Sequence, residues 1–210
     1  MTEKLVDLSC ADFTMALASK ASVPGGGGAA ALAGTLGTAL CSMAGNFTLG
    51  KKKYAAVEAD IRVLLEKGAA IQTRLLELVD EDARAFEPLS RAYAIPKDDP
   101  AREAVLESAT LEACRAPMAM AACCCDAIAL LEEMLEKGSV MLLSDVGCGA
   151  LLCRAALESA AMNVYVNTGT LRDRDRAQAL EQELDTLVQT YSPRAERIAE
   201  TVRRRLREKG

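Results

Sequence analysis

Between Lys20 and Lys51 the chain carries no charged side chain, and Gly, Ala, Ser, Thr and Leu make up most of the stretch. Such a segment must be covered by other elements or by lipid. Residues 26–47, GGGAAALAGTLGTALCSMAGNF, read as a helix in which Ala29, Ala33, Gly37, Cys41 and Gly45 recur every fourth position. Small side chains at that spacing let another helix approach closely. A membrane span flanked by Lys51, Lys52 and Lys53 is the competing reading. The many Gly, Ser, Thr and Ala residues make the segment too weakly hydrophobic for that, so a buried helix of a soluble bundle is expected.

The remaining sequence supports a bundle. Aromatic residues are 3% of the chain, Trp is absent, and 26% of residues are charged, a balance that favours long helices over sheets. Ser9 and Asp12 mark a capping box that opens a short helix reaching about Lys20. Val57, Ile61, Leu64, Leu65, Ile71, Leu75, Leu78 and Val79 form the apolar stripe of a long rod from about Tyr54 to Ala92. A further helix runs from Pro100 to Lys137 with Gly138 as its stop and a kink at Pro117. Ser144 is placed as the cap of a fifth helix ending near Asn167, and the last helix starts near Arg172 and runs to the C-terminus, interrupted at Pro193. The expected fold class is all-α: a single antiparallel helical bundle of about six helices, two kinked by proline, with residues 1–210 as one domain.

Composition also narrows the chemistry. With 25 basic and 30 acidic residues and a formal charge of −5, the chain lacks the electrostatic footprint of a nucleic-acid binder. There is no His, so Ser-His and Cys-His pairs are excluded within one chain, and proton transfer falls to Asp, Glu, Lys, Tyr or Cys. The eight cysteines include three in a row and no CxxC pair, which points to reduced core thiols and no metal site. The opening MTEKLVDLSCADF has no apolar run of a signal peptide, so a cytoplasmic location is expected.

Four features stand out as candidates for function. Pro24 to Gly28 form a glycine loop feeding a helix, able to hold an anionic or carbonyl group or simply to let two helices touch. Lys51, Lys52 and Lys53 are a carboxylate-binding rim or a solvated face. Asp82 falls on the apolar seam of Leu75, Leu78, Phe86 and Leu89, where a carboxylate needs a partner or a purpose, while Asp80 and Glu81 are expected in solvent. Asp145 starts a ridge of Gly149, Cys153, Ala156, Ala160, Asn163 and Asn167, a groove polar at both ends or a set of satisfied core asparagines.

The segments PGGGGAAALAG, NFTLGKKKY, DEDARAF and SDVGCGALLCRAA, in this order, resemble the cyclodeaminase/cyclohydrolase family of folate one-carbon enzymes over nearly the whole chain. The resemblance implies an all-helical homodimer or dimer of dimers that binds a tetrahydrofolate derivative and uses no further cofactor. By position it implies Asp82 and Asp145 as a proton-handling pair. It implies Pro24, Gly25, Gly26, Gly27, Asn46, Lys51, Lys52, Lys53, Tyr54, Phe86 and Ser144 as substrate-binding residues. Two departures from the family pattern occur: Gly28 stands where a Ser commonly follows the glycines, and Ser139 to Leu143 replaces a segment that often carries Asn-Pro. Hydrolysis of 5,10-methenyltetrahydrofolate to 10-formyltetrahydrofolate is the expected activity, favoured because no formiminotransferase domain is fused to the sequence. The alternatives are 5-formiminotetrahydrofolate cyclodeamination and an inactive folate-binding or structural helical dimer.

Overall fold

A computed structural model of the chain describes residues 4–208. Six α-helices account for most of it: α1 (Cys10–Leu17), α2 (Gly26–Asn46), α3 (Glu58–Tyr93), α4 (Arg102–Lys137), α5 (Leu143–Thr168) and α6 (Arg174–Arg207). Short 3-10 turns at Leu5–Asp7, Lys52–Val57 and Val140–Leu142 join or precede them, and no strand occurs among the described residues. Helix α2 lies against α3, α4 and α5, α5 also packs on α4 and α6, and consecutive long helices α3 to α6 run as antiparallel neighbours. The main core has Ile61, Leu75, Leu78, Met120, Ile128, Leu131, Leu157 and Leu184 essentially without solvent contact, and a smaller cluster of Leu89, Ala92, Ala109 and Ala113 joins the far ends of α3 and α4.

The predicted starts and stops hold where local chemistry decides them. Ser9 caps α1 by accepting the Asp12 N–H at 3.1 Å. Two caps differ. Ser144 lies inside the first turn of α5, because the preceding 3-10 turn carries the chain into the helix at Leu142. Asp173, rather than Arg172, opens α6 and accepts the Arg176 N–H. Three prolines, Pro88, Pro117 and Pro193, sit inside helices that continue through them, one more than expected.

The small-residue stripe of α2 does not present one face. A four-residue step advances 400°, so successive members drift by about 40° around the helix. A Cβ built on Gly37 would meet Cys153 Sγ at 2.6 Å and the Gly149 carbonyl at 2.8 Å, whereas one on Gly45 would meet Leu65 and Met134. Gly37 and Gly45 are therefore taken up within the chain, by α5 midway and by α3 and α4 near the end, while Ala29 and Ala33 stay partly exposed. Helix α2 and residues Val140–Thr168 are both long and apolar enough to cross a membrane by length and composition, yet each is wedged among other helices of the bundle.

Candidate active site

At the N-terminal end of α2 the sequence breaks into Val23, Pro24 and glycines, and this loop brings the helix start against the middle of α3. The α3 seam continues from buried Leu75 and Leu78 to Asp82, whose carboxylate lies over Gly27. A Cβ on Gly27 would stand 2.4 to 2.5 Å from all three carboxylate atoms, so the approach requires glycine at that position. Burial pushes the Asp82 carboxyl up to about 6, and the neighbouring Gly28 N–H offsets only part of that shift. No Lys or Arg pairs with it among the described residues.

Around Asp82 opens a cavity of about 240 Å³, with Gly25, Gly26, Gly27, Phe86, Pro117 and Asn163 in its walls. Phe86 is partly exposed, whereas Pro24 is buried under the loop, its Cβ 3.4 Å from where a Cβ on Gly28 would stand, and does not line the cavity. Asn163 and Asn167, read from sequence only as the polar end of a ridge, line this cavity from α5. Asn167 has a structural reason: Pro117 has no N–H for the Ala113 carbonyl one turn earlier, and Asn167 Nδ2 approaches that carbonyl at 3.3 Å.

The other candidate residues gather elsewhere. Asn46 ends α2, and after Gly50 the chain turns into Lys51–Tyr54. Lys51 Nζ donates to Ser139 Oγ at 3.3 Å, and Tyr54 Oη accepts the Val140 N–H at 3.1 Å. The Tyr54 hydroxyl is pulled below its ordinary range by the Val140 amide, with Ser139, Lys53 and Lys51 adding to that. Lys53 Nζ stands 5.5 Å from the Tyr54 ring centre. None of Lys51, Lys52 and Lys53 meets a carboxylate among the described residues. Ser144 and Asp145 begin α5 beside this cluster, with their side-chain oxygens 3.5 Å apart.

Helix α2 separates the two groups. Its 21 residues span about 30 Å. Asp82, Phe86 and the glycine loop occupy one end, and Asn46, Lys51 to Tyr54, Ser144 and Asp145 the other. Asp82 and Asp145 thus do not meet within one chain, contrary to the expectation of a proton-handling pair. Asp80 also departs from expectation: it is buried and accepts the Leu5 N–H at 2.7 Å, tying the N-terminal segment to α3. Glu81, by contrast, pairs with Arg74 near the surface.

The cysteines are all free, and burial pushes Cys41, Cys125 and Cys153 up to about 12, which makes them poor nucleophiles. The exposed thiols, Cys10 and Cys148, do not line the cavity around Asp82, whose titratable group is that carboxylate.

An all-helical bundle with a buried unpaired carboxylate at one end of its central helix and an unpaired lysine cluster at the other is the class of molecule these data define. Comparison with known proteins gives it a family. The formiminotransferase-cyclodeaminase profile matches residues 9–186, and the chain belongs to that family. It is 42% identical to a methenyltetrahydrofolate cyclohydrolase of Methylorubrum extorquens over 195 residues, covering 91% of this chain and 94% of that one. It is 30% identical to the formimidoyltransferase-cyclodeaminase of Sus scrofa, covering 87% of this chain but 35% of that protein. The crystal structure of a formiminotetrahydrofolate cyclodeaminase from Thermotoga maritima superimposes with a TM-score of 0.82 at 29% identity, covering 93% of this chain and 97% of that one.

Proposed function

We propose that the protein is a folate one-carbon enzyme that hydrolyses 5,10-methenyltetrahydrofolate to 10-formyltetrahydrofolate. The observation that carries this reading is Asp82, a largely buried carboxylate without a cationic partner in the described chain, placed to complement a cationic substrate. The methenyl carbon is an amidinium and already electrophilic, so no cofactor beyond the folate itself is called for. Water adds to that carbon and gives up a proton. The bond to N5 then breaks as N5 is protonated, the formyl group stays on N10, and one proton leaves to solvent. A carboxyl that titrates near 6 can accept a proton from water and return it at neutral pH.

A second copy of the chain supplies the missing half of the site. Leu36 on α2 and Phe47 at its C-cap stand three turns apart, as do Leu151 and Met162 on α5, and all four are exposed. Leu36 is 52% and Met162 65% exposed, and α2 carries no charge to keep this face in water. Two copies packed antiparallel through this face lay the Asp82 end of one against the Lys51–Asp145 end of the other. In that arrangement Asp145 and Tyr54 join Asp82 in moving protons. Lys51, Lys52 and Lys53 attract the glutamate carboxylates, and Asn46 and Ser144 border the same opening. The enzyme functions in a reducing cytoplasm, with no membrane or nucleic-acid partner.

Formiminotetrahydrofolate cyclodeamination is the second reading, favoured by the Thermotoga maritima structure, because the amine attack and ammonia loss pass through a similar tetrahedral carbon. Purified protein offered each substrate separately decides between them. Loss of the methenyl chromophore is the expected result, and turnover of the formimino substrate alone overturns it.

A further inference from the structure

Asn163 is left over once the fold has been explained. It stands on α5 at the mouth of the Asp82 cavity, and its amide lies close to Gly26, where a Cβ would come within 3.2 Å of Oδ1. Its Nδ2 donates to the Ser159 carbonyl at 2.8 Å, one turn back on the same helix. That bond fixes which way the amide points, because a carbonyl takes only the NH₂ end. The helix already serves the Ser159 carbonyl through the Asn163 backbone N–H, so the side-chain bond adds orientation more than stability. Oδ1 is then a bare acceptor with no protein donor among the described residues.

Its neighbour Asn167 makes the contrast. That amide serves the Ala113 carbonyl orphaned by Pro117 and ties α5 to α4, a structural duty that accounts for it. Asn163 has no such duty.

The cavity narrows the ligand. At about 240 Å³ it falls below the roughly 300–1,000 Å³ of pockets that enclose a whole drug-sized molecule, so it admits one ring system and leaves the rest of the ligand outside. Phe86, Pro117 and Val166 offer flat or apolar walls, and Asp82 and Asn163 sit at the glycine edge. A planar heterocycle with N–H donors on its rim matches that distribution.

We infer that Asn163 recognises the fused pyrimidine ring of the folate, its Oδ1 accepting from the ring N–H or the 2-amino group, while Asp82 faces the cationic carbon. This rests on the folate reading above and goes beyond it by assigning the pterin, rather than the aminobenzoyl-glutamate tail, to this end of the chain. Asn163 is thereby a substrate-binding residue that selects the 2-amino-4-oxo pattern.

Calorimetry with the two halves of the ligand tests this without using turnover. The probes are 6-methyltetrahydropterin, which carries only the ring, and p-aminobenzoylglutamate, which carries only the tail. Asn163→Ala is expected to weaken ring binding by about tenfold or more and leave tail binding unchanged. Asn163→Asp keeps an acceptor but cannot donate to the Ser159 carbonyl that aims it, and is expected to bind the ring more tightly than Asn163→Ala but more weakly than the original protein. Circular dichroism and melting establish that both variants fold. Unchanged ring binding in Asn163→Ala overturns the assignment, as does a loss confined to the tail. An equal loss in Asn167→Ala also overturns it, since the cavity as a whole would then be responsible. If the unaltered protein turns over neither folate yet binds the ring through Asn163, the proposed activity fails and the assignment stands.

Discussion

Asp82 costs the fold something. A carboxyl held near 6 when folded and near 3.9 when unfolded retains its proton more tightly in the native state, so its contribution to stability is most favourable below about pH 4 and is lost as pH rises through 6. At neutral pH the ionised group is destabilising by up to about 3 kcal/mol. Asp82→Asn should therefore raise the melting temperature at pH 7.5, with the gain shrinking as pH falls through 6 and nearly gone at about pH 4, while kcat falls by ~10² to 10⁴. Thermal scans at the two pH values, run beside the methenyl assay, read both effects. A helix-cap or ion-pair role predicts the opposite sign at pH 7.5. Three acids in a row, Asp80, Glu81 and Asp82, show how far the sequence reaches at this scale. The apolar seam singled out Asp82, but nothing near Asp80 reveals that Leu5, 75 positions earlier, donates to it.

Among the elements, α2 and α5 form the scaffold on which both ends of the site depend. Gly27 and Gly37 distinguish function from packing along α2. Gly27→Ala must displace the Asp82 carboxylate, and it should abolish most activity with a melting temperature within a few degrees of the original. Gly37→Leu drives a side chain into the Gly149 backbone and Cys153, and it should destabilise by about 1–3 kcal/mol or more. Denaturant titration of the pair checks the separation. The long helices were legible because their apolar periodicity extends over many turns and averages out local ambiguity. The start of α5 was not. Its position follows from the buried turn at Ser139, where Thr48 Oγ1 accepts the Ser139 N–H and Tyr54 Oη accepts the Val140 N–H, contacts with residues 91 and 86 positions away. The small-residue stripe was visible in sequence, but its drift around α2, which turns Gly37 to α5 and Gly45 to α3 and α4, was not.

For the whole molecule, motif order picked out the candidate residues but not their division between two ends, because that depends on where α2 places its termini in the assembled bundle. In the proposed two-copy site, the apolar face of α2 and α5 is where the copies meet. Leu151→Arg should leave helicity unchanged, yield a monomer by light scattering and abolish turnover, since a lone chain holds only separated halves. A fully active monomer contradicts this. The composite site itself is tested most directly by mixing Asp82→Asn with Asp145→Asn after unfolding and joint refolding. Each variant alone should be nearly inactive. In the mixture, random pairing makes half the dimers mixed, and every mixed dimer holds one site with both aspartates, so about a quarter of the original activity should return. If the mixture stays as inactive as its parents, or if either parent is active alone, the two-copy site is wrong.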